Sequence, residues 1–455
     1  MRRIRSILAC AMTAALAAGG LTACGADKDP GEIKVWVAFI DYRKQWVKDV
    51  AKDFEKKHPE YHIKVTGFET YEDEWKALTA ANKEGNPPTI IQNFEAATTE
   101  SRDQVNSDGK PLFANLQKAL DGRKKVLGEP VVIDDVVPAA KNYYSVDGKY
   151  TSMPWNTSTP LFYSNMDYLK KAGISKAPTT WEEVKSDCDK IKKMKNGPKK
   201  CATWADHAWY PEQMLSEQGG LLTNNKNGRD GRATKVDINT AAYKKFPKFW
   251  KKLNDDGEFY YTGKQEDFLA PVDTFNAQKT AFLLSSSGDA SNVISETKKA
   301  GAKVDVTMMP SFKGTKNHGN VIGGATLWLT DGLEKKTTDG ALAFMQFIDN
   351  PTNAADWHKK TGYIPITKAA YDKLDNEGWF KKNPYQKLAN EQLDRSESSP
   401  ATLGALVGNF VSIRQQVTQA MEDIITSGAN VDSSFAKAQK KSQKLLDDYN
   451  KLYAK

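Results

Sequence analysis

Between Glu32 and Ile91 the spacing of hydrophobic positions switches repeatedly between two periods. Glu32–Phe39 (EIKVWVAF) alternates apolar and polar residues and predicts a strand. Arg43–His58 carries Trp46, Val47, Val50, Ala51 and Phe54 at helical spacing, and Pro59 ends that run. Ile63–Gly67 predicts a second strand, Tyr71–Asn82 a second helix, and Thr89–Ile91, behind Pro87-Pro88, a third strand. Strand, helix, strand, helix, strand argues for a parallel, right-handed α/β lobe.

The alternation resumes beyond Pro160. Leu161–Tyr163 reads as a strand, Met166–Lys171 as a helix closed by Gly173, and Trp181–Met194 as a longer helix. Phe282–Leu284, Val304–Met309 and Val321–Leu329 read as strands, and Gly340–Asp349 as a helix. Ala354 through Tyr371, Phe410–Thr426 and Ser433–Tyr453 make the final hundred residues almost purely helical. No repeat of fixed period is present, and the 455 residues suffice for two α/β lobes with cores of their own. Ahead of Leu161 lies Pro154-Trp155-Asn156-Thr157-Ser158-Thr159-Pro160, which predicts a short polar turn. Its hydroxyls either serve a small polar ligand or satisfy their own backbone.

The N-terminus changes the picture first. Arg2, Arg3 and Arg5 precede the apolar stretch Ile7–Ala18, too short to span a bilayer, and then Leu21-Thr22-Ala23-Cys24. This is similar to a bacterial lipoprotein signal. The similarity implies a signal peptide over 1–23, lipidation of Cys24, and a tether over 24–32 holding the protein to the outer face of the cell membrane. The ordinary alternative is a secretory cleavage site with an incidental cysteine. Cys188 and Cys201 flank a lysine-rich stretch and Asn196-Gly197-Pro198, and an oxidising exterior favours a disulfide between them. The formal charge is +8, to which the three N-terminal arginines contribute; the remainder is lysine scattered along amphipathic helices. That is a solvated face, without the basic-aromatic interleaving of a nucleic-acid groove.

Catalytic patterns are absent from the sequence. The five histidines form no HExxH or other metal-ligand spacing, no GxSxG elbow occurs, and no carboxylate pair sits in a recognisable hydrolase context. An exported hydrolase or a repeat-built adhesin is therefore disfavoured, and neither a metal nor a cofactor is expected.

Three stretches carry a family resemblance. PWNTSTPLFYSNMDYLKKAGI followed by APTTWEEV resembles the lobe-crossing segment of the extracytoplasmic solute-binding proteins of ABC importers. NAADWHKKTGYIPITKAAYD and IGGATLWL resemble, more narrowly, the glycerol-3-phosphate binders among them. The resemblance implies a type II periplasmic-binding-protein fold, two α/β lobes joined by three crossings with a helical C-terminus. The first lobe would span 33–153 plus 311–349, and the second 154–310 plus 350–455. It also implies a monomer that closes on a small molecule and delivers it to membrane permease subunits. The expected cargo is sn-glycerol 3-phosphate or a glycerophosphodiester such as glycerophosphocholine. The alternative is a maltose- or trehalose-type sugar.

Matching motif by motif, the resemblance implies ligand contacts from Tyr71, Glu95, Ser158, Ser286, Gly324, Tyr363 and Arg414, with Trp209 as an apolar clasp. Trp209 matches the second of the family's two clasping tryptophans, and where the first should be this chain has Asp206 or His207. The residues themselves leave each role open. Arg414 offers a planar fork for two phosphate oxygens or lies along its helix stripe with its head in water. Gly324 presents a bare amide or is a strand bulge, and Ser286 meets an anion or caps a helix. Tyr71, Tyr363 and Trp209 contact ligand or pack, and Glu95 accepts from hydroxyls or is a loop acid. The phosphate is expected to meet Arg414, Ser158, Ser286, Gly324 and Tyr363, and the alcohol Tyr71, Glu95 and Trp209.

Overall fold

A computed structural model describes residues 29–146 and 148–453. The expected signal peptide and Cys24 lie outside the described residues. Two five-stranded sheets organise the molecule. The first has the order His62–Gly67, Glu32–Val37, Ile90–Phe94, Gly323–Leu329, Met153–Ser158. Its first three strands are parallel, and Gly323–Leu329 runs antiparallel to both of its neighbours. The second sheet has the order Phe259–Tyr260, Ala202–Thr203, Phe282–Ser286, Pro160–Asn165, Val304–Met308.

The βαβ reading of the first lobe is observed, because its helices follow their apolar stripes. Tyr42–Lys57 starts at Asp41, whose carboxylate accepts from the Arg43 amide, and buries Trp46, Val47, Val50, Ala51 and Phe54. Tyr71–Lys83 starts at Thr70, whose hydroxyl oxygen accepts from the Asp73 amide. In the second lobe Trp181, Trp204, Phe246 and Trp250 form a buried aromatic centre with edge and tilted contacts. Each such pair contributes about 1 kcal/mol beyond area burial.

Three expectations are corrected. The polar stretch before Pro160 is no turn: Met153–Ser158 is a fully buried strand of the first sheet. Met153 and Trp155 enter the first-sheet core, whereas Asn156, Thr157 and Ser158 are polar yet buried and Ser158 lines the gap between lobes, so the usual alternation cue is missing. Thr159 alone then separates it from Pro160–Asn165 in the second sheet, which moves the first crossing from 153/154 to Thr159. Finally, residues 350–376 do not pack with the second lobe. Ala354, Trp357, Ile364, Ala370 and Leu374 belong to the core of the first sheet, whereas Leu388–Asp394 lies against Pro160–Asn165 and Val304–Met308.

Candidate functional site

All eight residues singled out from the sequence line one cavity of about 100 Å³ between the lobes. Its first group of walls offers hydroxyls. The Tyr71 hydroxyl accepts from Asn156 Nδ2 at 3.0 Å and Gln92 Nε2 at 3.4 Å, which leaves its own hydrogen free to donate. Its ring stacks on Phe94, centroids 5.0 Å apart. Ser286 begins a short 3-10 turn, and its oxygen accepts from the Gly288 amide at 3.0 Å. Tyr363 is held by stacking on Trp357 at 5.5 Å and by Gly288, where an added Cβ would lie 2.5 Å from the ring. Burial raises the Tyr71 and Tyr363 hydroxyls above the ordinary phenol value, so both are neutral donors.

Gly324 is set by backbone geometry. Its φ is +101°, and a Cβ there would sit 1.7 Å from the Asn156 carbonyl oxygen in the neighbouring strand. Sequence reading overlooked Gly323. A Cβ at Gly323 would come 2.4 Å from Trp209 Cζ2 and 3.1 Å from Ser158 Oγ, so this glycine is what lets the indole and the hydroxyl share the wall. Trp209 donates its indole N–H to the Ile322 carbonyl at 3.3 Å.

Arg414 is neither a free fork nor a stripe residue with its head in water, because it is buried between two glutamates. Its Nε and Nη2 donate to Glu212 at 2.8 and 2.6 Å, and Nη1 lies 2.7 Å from Glu95 Oε1. The Glu95 contact is close but out of line, so Nη1 keeps an unspent donor. Glu212 sits three residues after Trp209 on one helix, a spacing that puts both on one face and was a readable signal. Burial raises the Glu95 carboxyl, with Arg414 opposing, while the two glutamates hold the guanidinium charged despite its burial.

Arg43 was missed, and the choice between Asp206 and His207 is now made. Arg43, buried, binds Asp41 through Nε and Nη2 and reaches Asp289 with Nη1 at 3.3 Å. His207 occupies the cavity wall where the first clasping tryptophan was sought, with Nε2 3.4 Å from Glu72 and its ring 5.2 Å from Phe268. Asp206 points elsewhere. It is buried with both carboxylate oxygens unpartnered among the described residues, and burial raises its pKa strongly. Arg43–Asp289, Glu95–Arg414, Glu72–His207 and Glu69–Lys264 all join first-lobe to second-lobe residues, so the lobes are closed over the cavity.

This cavity between two sheet-centred lobes is matched by known proteins. A profile of the bacterial extracellular solute-binding proteins matches residues 49–387. The chain belongs to this family. The sn-glycerol-3-phosphate-binding periplasmic protein UgpB of Escherichia coli is 30% identical over 449 residues, covering 96% of this chain and 98% of its own length. UgpB of Mycobacterium tuberculosis in complex with glycerophosphocholine superposes with a TM-score of 0.75 at 19% identity, over 92% of this chain and 99% of that one. The GacH receptor of Streptomyces glaucescens, studied with acarbose, gives 0.74 at 19% identity over the same shares. These extracellular solute-binding proteins share the two-lobe fold expected from sequence. No helix among the described residues is long and apolar enough to cross a membrane.

Proposed function

We propose that this solute-binding protein of an ABC importer captures a glycerophosphodiester whose alcohol carries a positive charge, glycerophosphocholine being the simplest form. The observation that carries the proposal is the charge of the cavity wall: six acidic side chains, Glu69, Glu72, Glu95, Glu266, Asp267 and Asp289, of which Glu69 is paired with Lys264, against the two arginines Arg43 and Arg414. A phosphate monoester, dianionic near neutral pH, meets net repulsion there. A diester carries one negative charge, and a cationic alcohol offsets the excess of acids.

In this reading the phosphate takes neutral donors, the hydroxyls of Ser158, Ser286 and Tyr363 and the backbone at Gly323-Gly324. Arg414 moves from the phosphate to the glycerol. Already neutralised by Glu95 and Glu212, it supplies one donor beside a Glu95 acceptor, the pairing a polyol hydroxyl needs. Tyr71 donates to the same polyol, and Trp209 with Phe268 covers apolar faces. Glu72, Glu266 and Asp267 attract the cation. The similarity to UgpB, described as an sn-glycerol-3-phosphate binder in Escherichia coli and as a glycerophosphocholine complex in Mycobacterium tuberculosis, supports the glycerol-phosphate half. Lipidation at Cys24 would tether the protein beside its permease.

Titration calorimetry tests this directly. Glycerophosphocholine is expected to bind more tightly than sn-glycerol 3-phosphate, and maltose and trehalose to give no heat. Tight binding of maltose or trehalose alone would replace the proposal with a sugar carrier. Tighter binding of the monoester would remove the cationic-alcohol part.

A further inference from the structure

Three of the seven arginines among the described residues converge on a second groove, away from the ligand cavity. Arg102, Arg229 and Arg232 line it together with Thr99, Ser145 and one carboxylate, Asp103. Arg102 lies in the last turn of the helix Thr98–Asp103, whose strand neighbour is in the first sheet, while Arg229 and Arg232 belong to a second-lobe loop. The groove therefore straddles the junction of the lobes.

The charges are poorly compensated. Arg102 donates Nε to Thr151 Oγ1 and Nη2 to the Tyr144 carbonyl, each at 3.2 Å. Arg229 donates to the carbonyls of Gly404, Leu403 and Asn142, and its guanidinium lies 5.1 Å from the Tyr143 ring centroid. Neither has a carboxylate within ion-pair distance among the described residues. Only Arg232 does, with Nη1 2.9 Å from Asp103 Oδ2, an oxygen that also accepts from the Tyr449 hydroxyl at 2.7 Å. Carbonyl dipoles satisfy N–H groups but do not cancel a charge, and half-burial makes that charge costly. Burial, with Arg102 and Arg229 repelling one another, drives Arg102 down to about 10.

We propose that this groove binds a phosphate-type oxyanion that bridges Arg102 of one lobe to Arg229 and Arg232 of the other. Planar guanidinium forks suit two oxygens each, and the Thr99 hydroxyl, on the groove wall, makes no hydrogen bond among the described residues. The anion is supplied either as free inorganic phosphate or as the phosphate headgroup of an anionic lipid. Because its ligands come from both lobes, occupancy favours the closed arrangement.

Inorganic phosphate titrated into the full-length protein is expected to bind and to raise the melting temperature. The cleft variant Ser158→Ala/Ser286→Ala keeps this effect, and Arg102→Gln/Arg229→Gln loses at least about tenfold in affinity. Arg232→Gln, at a more exposed and less embedded position, is the second variant if the double one is unstable, and it weakens binding in the same direction. Co-sedimentation with vesicles of phosphatidylglycerol, against phosphatidylcholine alone, separates the sources. Binding to the former that free phosphate displaces assigns the lipid headgroup, and phosphate binding without vesicle binding assigns the free anion. Phosphate affinity unchanged in both arginine variants, or no binding of phosphate or anionic vesicles, overturns the proposal.

Discussion

At the scale of single residues, two adjacent glycines do different work and are separable by mutation. Gly324→Ala forces a Cβ into the Asn156 carbonyl at a left-handed φ, so it is expected to lower stability by at least about 2 kcal/mol, seen as a shifted urea midpoint. Gly323→Ala carries no positive φ and mainly displaces the Trp209 ring. It should fold with a near-normal midpoint yet lose glycerophosphocholine binding. Equal effects of both on stability would contradict the distinction. Arg414→Ala leaves Glu95 and Glu212 buried without their cation, which costs about 3–5 kcal/mol where one partner of a buried pair is removed. Both the melting temperature and ligand heat should fall, and normal binding by that variant would remove Arg414 from the site.

At the scale of elements, what was legible followed from period and punctuation. The helices Tyr42–Lys57 and Phe410–Ser427 show unbroken apolar stripes and their observed ends lie within a residue or so of those expected. Arg414 sits on such a stripe, so its burial could be read, but its pairing could not. Glu95 and Glu212 are far away in sequence, and only the closed fold brings them together. Pro154–Pro160, most of which belongs to the strand Met153–Ser158, was read as a turn because Asn156, Thr157 and Ser158 are polar and flanked by prolines. Their burial is a product of the gap between two sheets, information a local window does not hold. The Cys188–Cys201 link joins the helix Trp181–Lys192 to the residue just ahead of the strand Ala202–Thr203. A closed loop of this length stabilises by about 3 kcal/mol in the chain-entropy model, so the unfolding midpoint should drop under dithiothreitol and not in Cys188→Ala/Cys201→Ala. No difference between oxidised and reduced protein would show the link to be energetically silent.

For the molecule as a whole, buried carboxyls set the pH response. Burial pushes Glu100 and Glu217 up to about 8, and burial with Glu72 alongside pushes Glu266 up to about 7. The folded protein then holds protons that the unfolded chain has released above about 4.5, so stability falls as pH climbs from there toward 8. His358, driven down to about 4 by burial, acts in the opposite sense, but only below the unfolded value of about 6.5. Above that value the carboxyls are unopposed, and scanning calorimetry should record a falling melting temperature between roughly pH 6.5 and 8. A flat or rising trace there would contradict these burials. Over the same interval Glu266 gains its charge, so affinity for a cationic diester should increase while stability declines.

Thr159 is a single link between two sheets, its hydroxyl accepting from Gln392 at 2.6 Å and its carbonyl from the Ser287 amide at 2.8 Å. Ser158, which would meet the cargo, is one peptide unit from that pivot. Under the proposed function, cargo would work on the short arm of a lever, where small displacements near the fulcrum become long sweeps at the outer rims.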